Sequence, residues 1–294
     1  MPAIACLIAD PAHDPLDLGL VRDVARALGT SARWLGEAEA VEFATDAVDP
    51  PAGRARLAPL LADAPVDWAV LSSAHRRKRL LLCDMDSTVI QIECIDELAE
   101  IAGIRAEIAA ITQSAMRGDL DFAQALRARV RLLAGLPEAA IRRVIDERLR
   151  LTPGAVTLVR TMRAHGARTA LVSGGFTPFT RHVQALCGFD QESANELAVA
   201  GGRLTGELLG PLRGPEAKLA TLLHLRERLA LTASETMAVG DGANDAPMQE
   251  AAALGVAFRA HPRLRQQADV CVDRGDLTAC LFLQGYRREE FVTV

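Results

Sequence analysis

Aromatic residues make up only 4% of this 294-residue chain, although half of its residues are hydrophobic. A core short of rings has to be filled by Ala, Leu and Val, which suits helices packed on a parallel sheet better than a sandwich or barrel. Lysine is scarcer still, because all but Lys78 and Lys218 of the 33 basic residues are Arg. Positive charge is not in excess either: the formal charge is -5 and the pI about 5.7. That balance gives no electrostatic basis for a nucleic-acid or acidic-membrane partner, so an anionic substrate would have to be held by local charges. The run Arg76-Arg77-Lys78-Arg79 has no aromatic residues interleaved and reads as a solvated linker.

The six cysteines, at 6, 83, 94, 187, 271 and 280, form no C-x-x-C pair and no zinc-ligand spacing. Reduced, buried thiols in a cytoplasmic protein are expected. No apolar run approaches the ~20 residues of a membrane span. The N-terminus lacks a basic segment followed by an apolar one, since Asp10 and Asp14 arrive at once, so a soluble, unexported chain is expected. Neither an internal repeat nor a low-complexity segment is evident.

The periodicity predicts an α/β protein in two parts. Residues 1–76 read as a small α/β unit: strands at 4–9, over 33–45 and at 66–72, with helices at 18–28 and 57–62 and a turn at Pro50-Pro51. It contains no metal-ligand spacing, phosphate loop or nucleophile motif. Residues 77–294 open on a buried strand at Leu80, continue through a helical stretch at about 94–150, and return to strand patterns only at Thr169. The helical block is therefore an insertion between the first and second strands of a parallel sheet, placed to cap the strand ends. Thr177 and Pro178 supply a helix cap and first turn, residues 195–208 a hairpin turning at Gly201-Gly202, and 236–239, 255–258 and 269–272 further strands.

Leu80-Leu81-Leu82-Cys83 runs straight into Asp84-Met85-Asp86-Ser87-Thr88. That stretch alone reads equally as a polar turn with Ser87 or Thr88 as helix cap, or as a catalytic carboxylate pair at the end of a buried strand. Two more strands end in polar loops, Ser173-Gly174-Gly175 and Asp241-Gly242-Ala243-Asn244-Asp245. In a parallel sheet all three loops emerge on one edge and can converge. Asp84, Asp86, Asp241 and Asp245 would together repel one another without a hard cation such as Mg²⁺. With the metal, Asp84 is a candidate nucleophile and Asp86 a candidate acid/base. Ser173 and the following amides suit phosphate oxygens at a helix start.

Lys218 stands in the first turn of a helix, where the dipole disfavours a cation. A compact charge there suits a phosphate; a surface pair with Glu216 or Glu227 is the plainer alternative. In the inserted helices Phe122, Leu126, Val130 and Leu133 share one face and Arg129 falls at its edge. Its partner would be a ligand carboxylate or a structural acid such as Glu93 or Asp96. Glu93 is either a favourable acid at a helix start or a residue at the hinge nearest Asp84.

The run Asp84 to Val89 followed by Glu93, the pattern Ala115-Met116-x-Gly118 with Phe122 and Leu126-Arg127-x-Arg129-Val130, then Val172 to Phe176, Lys218, and Val239 to Asp245 resemble the haloacid-dehalogenase-type phosphatases. Within them they resemble most the members that act on phosphoserine. The resemblance covers about Arg79 to the C-terminus; Met85 stands where Phe is common. It implies a Rossmann-like sheet with a helical cap and Mg²⁺-dependent hydrolysis of O-phospho-L-serine, the last step of serine biosynthesis. Asp84 would attack phosphorus and Asp86 would serve as acid, then base. The metal would be held by Asp84, Asp86 through its main chain, and Asp241. Ser173, Gly174, Lys218 and Asn244 would hold the phosphoryl group, Glu93 the substrate ammonium and Arg129 its carboxylate, with Met116 and Phe122 excluding water. The first 76 residues are similar to an ACT domain, a regulatory type of unit. A small-molecule substrate, no nucleic acid, no membrane and an optional homodimer follow. Transfer of the phosphoryl group to an acceptor such as homoserine, and a catalytically silent amino-acid binder, are the competing readings.

Overall fold

The computed structural model describes residues 3–293, apart from the side chain of Met116, so the water-excluding role expected of that side chain lies outside the described residues. The N-terminal part runs β1 (Ala3–Ile8), α1 (Leu18–Leu28), β2 (Arg33–Gly36), β3 (Ala40–Thr45), α2 (Pro50–Leu61) and β4 (Asp67–Ser72). Its sheet has the order β2-β3-β1-β4 and is antiparallel throughout, the arrangement of a split βαβ motif. Helix α1 is capped by Asp17, which accepts from the Leu20 amide at 2.8 Å, and ends on Gly29 at φ 66°. The Pro50-Pro51 turn is corrected to the first turn of α2, which starts seven residues before the apolar pattern does. Asp49 caps it through the Ala52 amide, and proline is tolerated there because its missing N–H would be unpaired anyway.

The second part opens on β5 (Leu80–Cys83), followed by the helices α3 (Cys94–Ala102), α4 (Arg105–Arg117), α5 (Phe122–Leu132) and α6 (Ala139–Glu147). Next come α7 (Ala155–Ala164), β6 (Arg168–Phe176), α8 (Thr177–Cys187), the hairpin β7 (Gln191–Ala200) and β8 (Arg203–Leu209), α9 (Pro215–Arg228), β9 (Thr236–Gly240), α10 (Ala246–Ala251), β10 (Leu254–Phe258) and β11 (Val270–Val272). The strand order is β11-β10-β9-β5-β6-β7-β8, with only the β7–β8 pair antiparallel. β5 lies between β6 and β9 and is buried on both faces. Leu80 and Leu82 pack with Leu222 and Leu225 on one side, and Leu81 and Cys83 with Leu158 and Met162 on the other. That explains why its sequence is an unbroken apolar run rather than an alternation.

The insertion leaves and rejoins the sheet side by side. Ile90 pairs antiparallel with Leu151, and the Gln91 amide bonds Arg150 O at 3.0 Å. Two boundaries differ from expectation. β6 continues through Ser173-Gly174-Gly175 to Phe176, and Phe176, not Thr177, occupies the cap position of α8. The Thr177 hydroxyl instead donates to Asn195 O at 2.8 Å.

The run 76–79 is only half solvated: Arg77 and Arg79 are exposed, whereas Arg76 and Lys78 are turned inward. The Arg76 side chain is 11% exposed, pairs with the buried Glu42, and donates to the carbonyls of Leu283 and Phe282. Lys78 is buried and donates to His75 O and Ser234 O. Burial of these cations follows from the joint between the two sheets: Cys6, Ile8, Leu35, Ala40 and Ala69 share one apolar core with Leu281, Phe282 and Leu283. All six cysteines are free thiols. Among the described residues no helix is long and apolar enough to cross a membrane.

Candidate active site

The three polar loops meet at the carboxyl edge of the large sheet. Asp84 follows β5 directly, and its amide bonds Val239 O at 2.9 Å, so β5 and β9 deliver their terminal acids side by side. Asp84, Asp241 and Asp245 each place a carboxylate oxygen within 4.8 Å of the others. Lys218 lies among them, 2.7 Å from Asp84 Oδ2 and 2.7 Å from Asp245 Oδ1. The ammonium is 2% exposed and so is not the surface partner of Glu216 or Glu227. Asn244 Nδ2 approaches Asp84 Oδ2 at 3.4 Å, and the Met85 amide donates to Asp84 Oδ1 at 2.7 Å. Thr88 Oγ1 reaches Asp241 Oδ1 at 3.4 Å.

The glycines around these acids are spacers. A Cβ at Gly240 would lie 2.3 Å from the Asp245 carboxyl, and one at Gly175 would lie 2.6 Å from Asp86 Oδ2. Both sites need the bare backbone because a carboxylate occupies the space.

Charge explains what the cluster lacks. Burial, then the Asp84 charge, lifts Asp245 to about 8 against the pull of Lys218. The same two causes lift Asp241 to about 7. Burial pulls the Lys218 ammonium down, but Asp245 and Asp84 outweigh it and hold it above the ordinary lysine value. With all three carboxylates ionised, three against one ammonium would leave two negative charges in a confined, oxygen-rich site, and the raised Asp241 and Asp245 resist that state. A hard divalent cation neutralises that excess. The donor set fits such an ion.

Asp86 stands apart from this cluster. Its carboxylate accepts from the Cys94 amide at 2.9 Å and from Ser173 Oγ at 3.3 Å, and burial lifts it to about 6. The third carboxylate of the cation cluster is therefore that of Asp245 rather than of Asp86. Ser173 Oγ also accepts from the Gly175 amide at 2.8 Å, which folds the loop over Asp86. Glu93, just ahead of α3, makes no side-chain cap bond and accepts from Ser87 Oγ at 2.6 Å. Ser87 reaches it from the left-handed region, at φ 53°. Burial and then the Asp86 charge raise Glu93 to about 8, while the residue keeps solvent-exposed surface at the rim of the site.

Arg129 on α5 is half-buried, donates through Nε to Ala125 O at 3.3 Å, and pairs with no carboxylate among the described residues. Burial lowers its pKa, and the charges of Asp96, Glu93 and Asp86 oppose that shift. The guanidinium thus lies in the field of all three acids, Asp96 most strongly. Phe122 on the same helix lies against the core loops: added Cβ atoms at Gly174 and Gly214 would meet its ring at 3.2 and 2.7 Å. The cap is docked on the sheet edge.

Asp245 belongs to the four acids the sequence brings to this edge and takes its place in the cluster; one residue stands outside the expected set. Asn195 is fully engaged beneath the Ser173 loop, and nothing in its local sequence marks it.

Residues 81–250 match the haloacid dehalogenase-like hydrolase family. The chain is 44% identical over 223 residues to the phosphoserine phosphatase of Haemophilus influenzae, covering 75% of this chain and 71% of that one. It is 45% identical over 253 residues to the phosphoserine phosphatase of Streptomyces coelicolor, covering 85% of this chain but only 62% of the relative. The unliganded crystal structure of a probable phosphoserine phosphatase from Vibrio cholerae superposes with a TM-score of 0.79 at 31% identity, covering 98% of this chain and 88% of that one. With its acids, lysine and cap in the geometry above, the chain belongs to the haloacid dehalogenase-like hydrolases and, within them, to the phosphoserine phosphatases.

Proposed function

We propose that the site hydrolyses O-phospho-L-serine to serine and phosphate through a phosphoryl group carried on Asp84. The observation that carries the reading is the division of charge across the site. Lys218 and Asn244 lie against Asp84 and Ser173 against Asp86 on the sheet side, while Glu93 stands just ahead of α3 and Arg129 on α5 of the cap. A phosphate monoester on a zwitterionic amino acid matches that division, with its ammonium at Glu93 and its carboxylate at Arg129.

Asp84 Oδ attacks phosphorus as the bond from phosphorus to the serine oxygen breaks, and the Asp86 proton passes to that oxygen. Asp86, now a carboxylate, takes a proton from water as the water oxygen attacks phosphorus and the Asp84 carboxylate departs. Lys218, Asn244, the Ser173 hydroxyl and the Gly174 amide hold the phosphoryl oxygens as charge spreads over them. Asp84, Asp241 and the Asp86 carbonyl would hold Mg²⁺, with Asp245 close by, and the ion would supply positive charge to offset these carboxylates and the phosphate. Phe122, seated against Gly174 and Gly214, excludes water while the cap is shut. The division near residue 76 and an ACT-like regulatory role for the first unit belong to the same reading, as does a cytoplasmic setting, which suits six free thiols.

Arg129→Ala tests the assignment of the substrate carboxylate. Removing one charge-assisted contact of about 1.5–3 kcal/mol should lower kcat/KM for phosphoserine by roughly 10- to 150-fold. Hydrolysis of p-nitrophenyl phosphate, which has no carboxylate, should change little. Equal losses on both substrates would make Arg129 a packing residue.

A further inference from the structure

The buried side chain of Asn195 has no part in the chemistry above, yet it joins two loops of the site. β6 pairs with β7 in parallel register as far as Val172, loses register through Ser173, Gly174 and Gly175, and regains it where Phe176 faces Asn195. A break of this kind leaves backbone groups without ladder partners and re-aims the loop. Asn195 is 2% exposed. Its Nδ2 donates to Gly174 O at 2.9 Å and to Arg213 O at 3.1 Å, and its Oδ1 accepts from the Arg213 amide at 2.8 Å. Its carbonyl accepts from Thr177 Oγ1 at 2.8 Å, which anchors the residue to the start of α8. Both donors and the acceptor of the side chain are used.

Both loops that Asn195 joins lie against Phe122 of the cap, which elsewhere rests on the β7–β8 hairpin. Gly174 and Gly214 are the glycines whose Cβ atoms would strike Phe122, and Gly214 is the cap residue of α9, whose first turn carries Lys218. We infer that Asn195 is a positioning residue that holds the phosphate loop and the start of the lysine helix at a fixed spacing and so builds the seat on which Phe122 closes the cap. This rests on the reading of the site as a phosphoserine phosphatase and names a residue that sets its specificity through closure. A small aryl phosphate, which needs no contact with the cap, would feel the loss of the seat less than phosphoserine does.

Asn195→Ala, Phe122→Ala and the double variant form a cycle measured on phosphoserine and p-nitrophenyl phosphate with Mg²⁺. Asn195→Ala should lower kcat/KM for phosphoserine by about tenfold or more, the loss of hydrogen bonds in a buried network. The loss on the aryl phosphate should be smaller. Because both residues serve one seat, the double variant should lose little more than the worse single variant, whereas independent effects multiply. Amide hydrogen exchange should quicken together at 173–176 and 212–214 in Asn195→Ala. Asn195→Asp, which keeps the acceptor for the Arg213 amide and withdraws both donors, should do the same. Multiplying losses, or exchange unchanged in either segment, would overturn the inference. Collapse of whole-chain melting in both Asn195 variants would also overturn it, by making the residue a general support of the fold. A wild type inactive on phosphoserine but active on the aryl phosphate would instead sink the substrate reading and leave the exchange result to stand by itself.

Discussion

Asp84→Asn is expected to lower turnover of phosphoserine by at least about 10⁴-fold, in the range seen when a nucleophile is removed from a working catalytic set, while the fold survives. An amide of the same volume fills the same space and its oxygen still accepts from the Met85 amide, while its NH2 faces Lys218 and Asn244 in place of the acceptor Oδ2, and it cannot carry the phosphoryl group. The fold survives because Lys218 keeps Asp245 at 2.7 Å, so no buried charge is stranded. Removing one of the crowded carboxylates also eases repulsion on Asp241 and Asp245, both of which the Asp84 charge raises. Phosphate release read alongside thermal melting checks the two halves together. Activity within about 100-fold of wild type, a gap of only some 2.7 kcal/mol in barrier, would remove Asp84 from the nucleophile role.

Lys218→Met should have the opposite balance, with stability and activity falling together. It strips the ammonium from the buried carboxylates of Asp84 and Asp245, and breaking one side of a buried charge network costs about 3–5 kcal/mol. Loss of a donor aimed at the phosphoryl oxygens should lower kcat by roughly 10²- to 10³-fold. The stability deficit should depend on pH in a definite direction. Asp241 and Asp245 already sit near 7 and 8 in the folded chain, well above their ordinary 3.8, and loss of Lys218 raises them further. The folded variant therefore keeps those protons to a higher pH than the wild type does, so its stability falls as pH rises from about pH 4 to beyond pH 8 and the deficit widens above about pH 7. Mg²⁺ should restore part of the loss by supplying the missing positive charge. Melting of the metal-free variant equal to wild type at pH 8 would contradict this account of the cluster.

The readable parts of this protein were those whose determinants are local. Leu80 to Cys83 is buried on both faces, so its apolar run identifies a central parallel strand, and parallel strands deliver their following loops to one edge. That is why acids as far apart as Asp84 and Asp241 could be brought together on paper. The place of Arg129 at the edge of the apolar face of α5 was legible from helical spacing alone. What escaped is decided by residues remote in sequence. Arg76 and Lys78 look as solvated as Arg77 and Arg79 beside them until Glu42, Ser234 and the carbonyls of Phe282 and Leu283 are placed around them. Asn195 looks like the start of a hairpin strand until the irregular stretch of β6 leaves Gly174 O in need of a donor. Pro50-Pro51 carries the signal of a turn and that of a first helical turn alike, and Asp49 decides between them by capping the Ala52 amide.

The pairing of a phosphate-holding sheet edge with a cap that reads an amino acid is tested most directly by a substrate panel. Phosphate release with Mg²⁺ should be measured on O-phospho-L-serine, phosphoethanolamine and phosphosugars under the same conditions. Phosphoethanolamine keeps the ammonium for Glu93 but offers nothing to Arg129, and the sugars offer neither group. The account predicts the highest kcat/KM for phosphoserine, with phosphoethanolamine lower by roughly the 10- to 150-fold assigned to the Arg129 contact. An intact, Mg²⁺-activated protein that prefers a phosphosugar or phosphoethanolamine would contradict it.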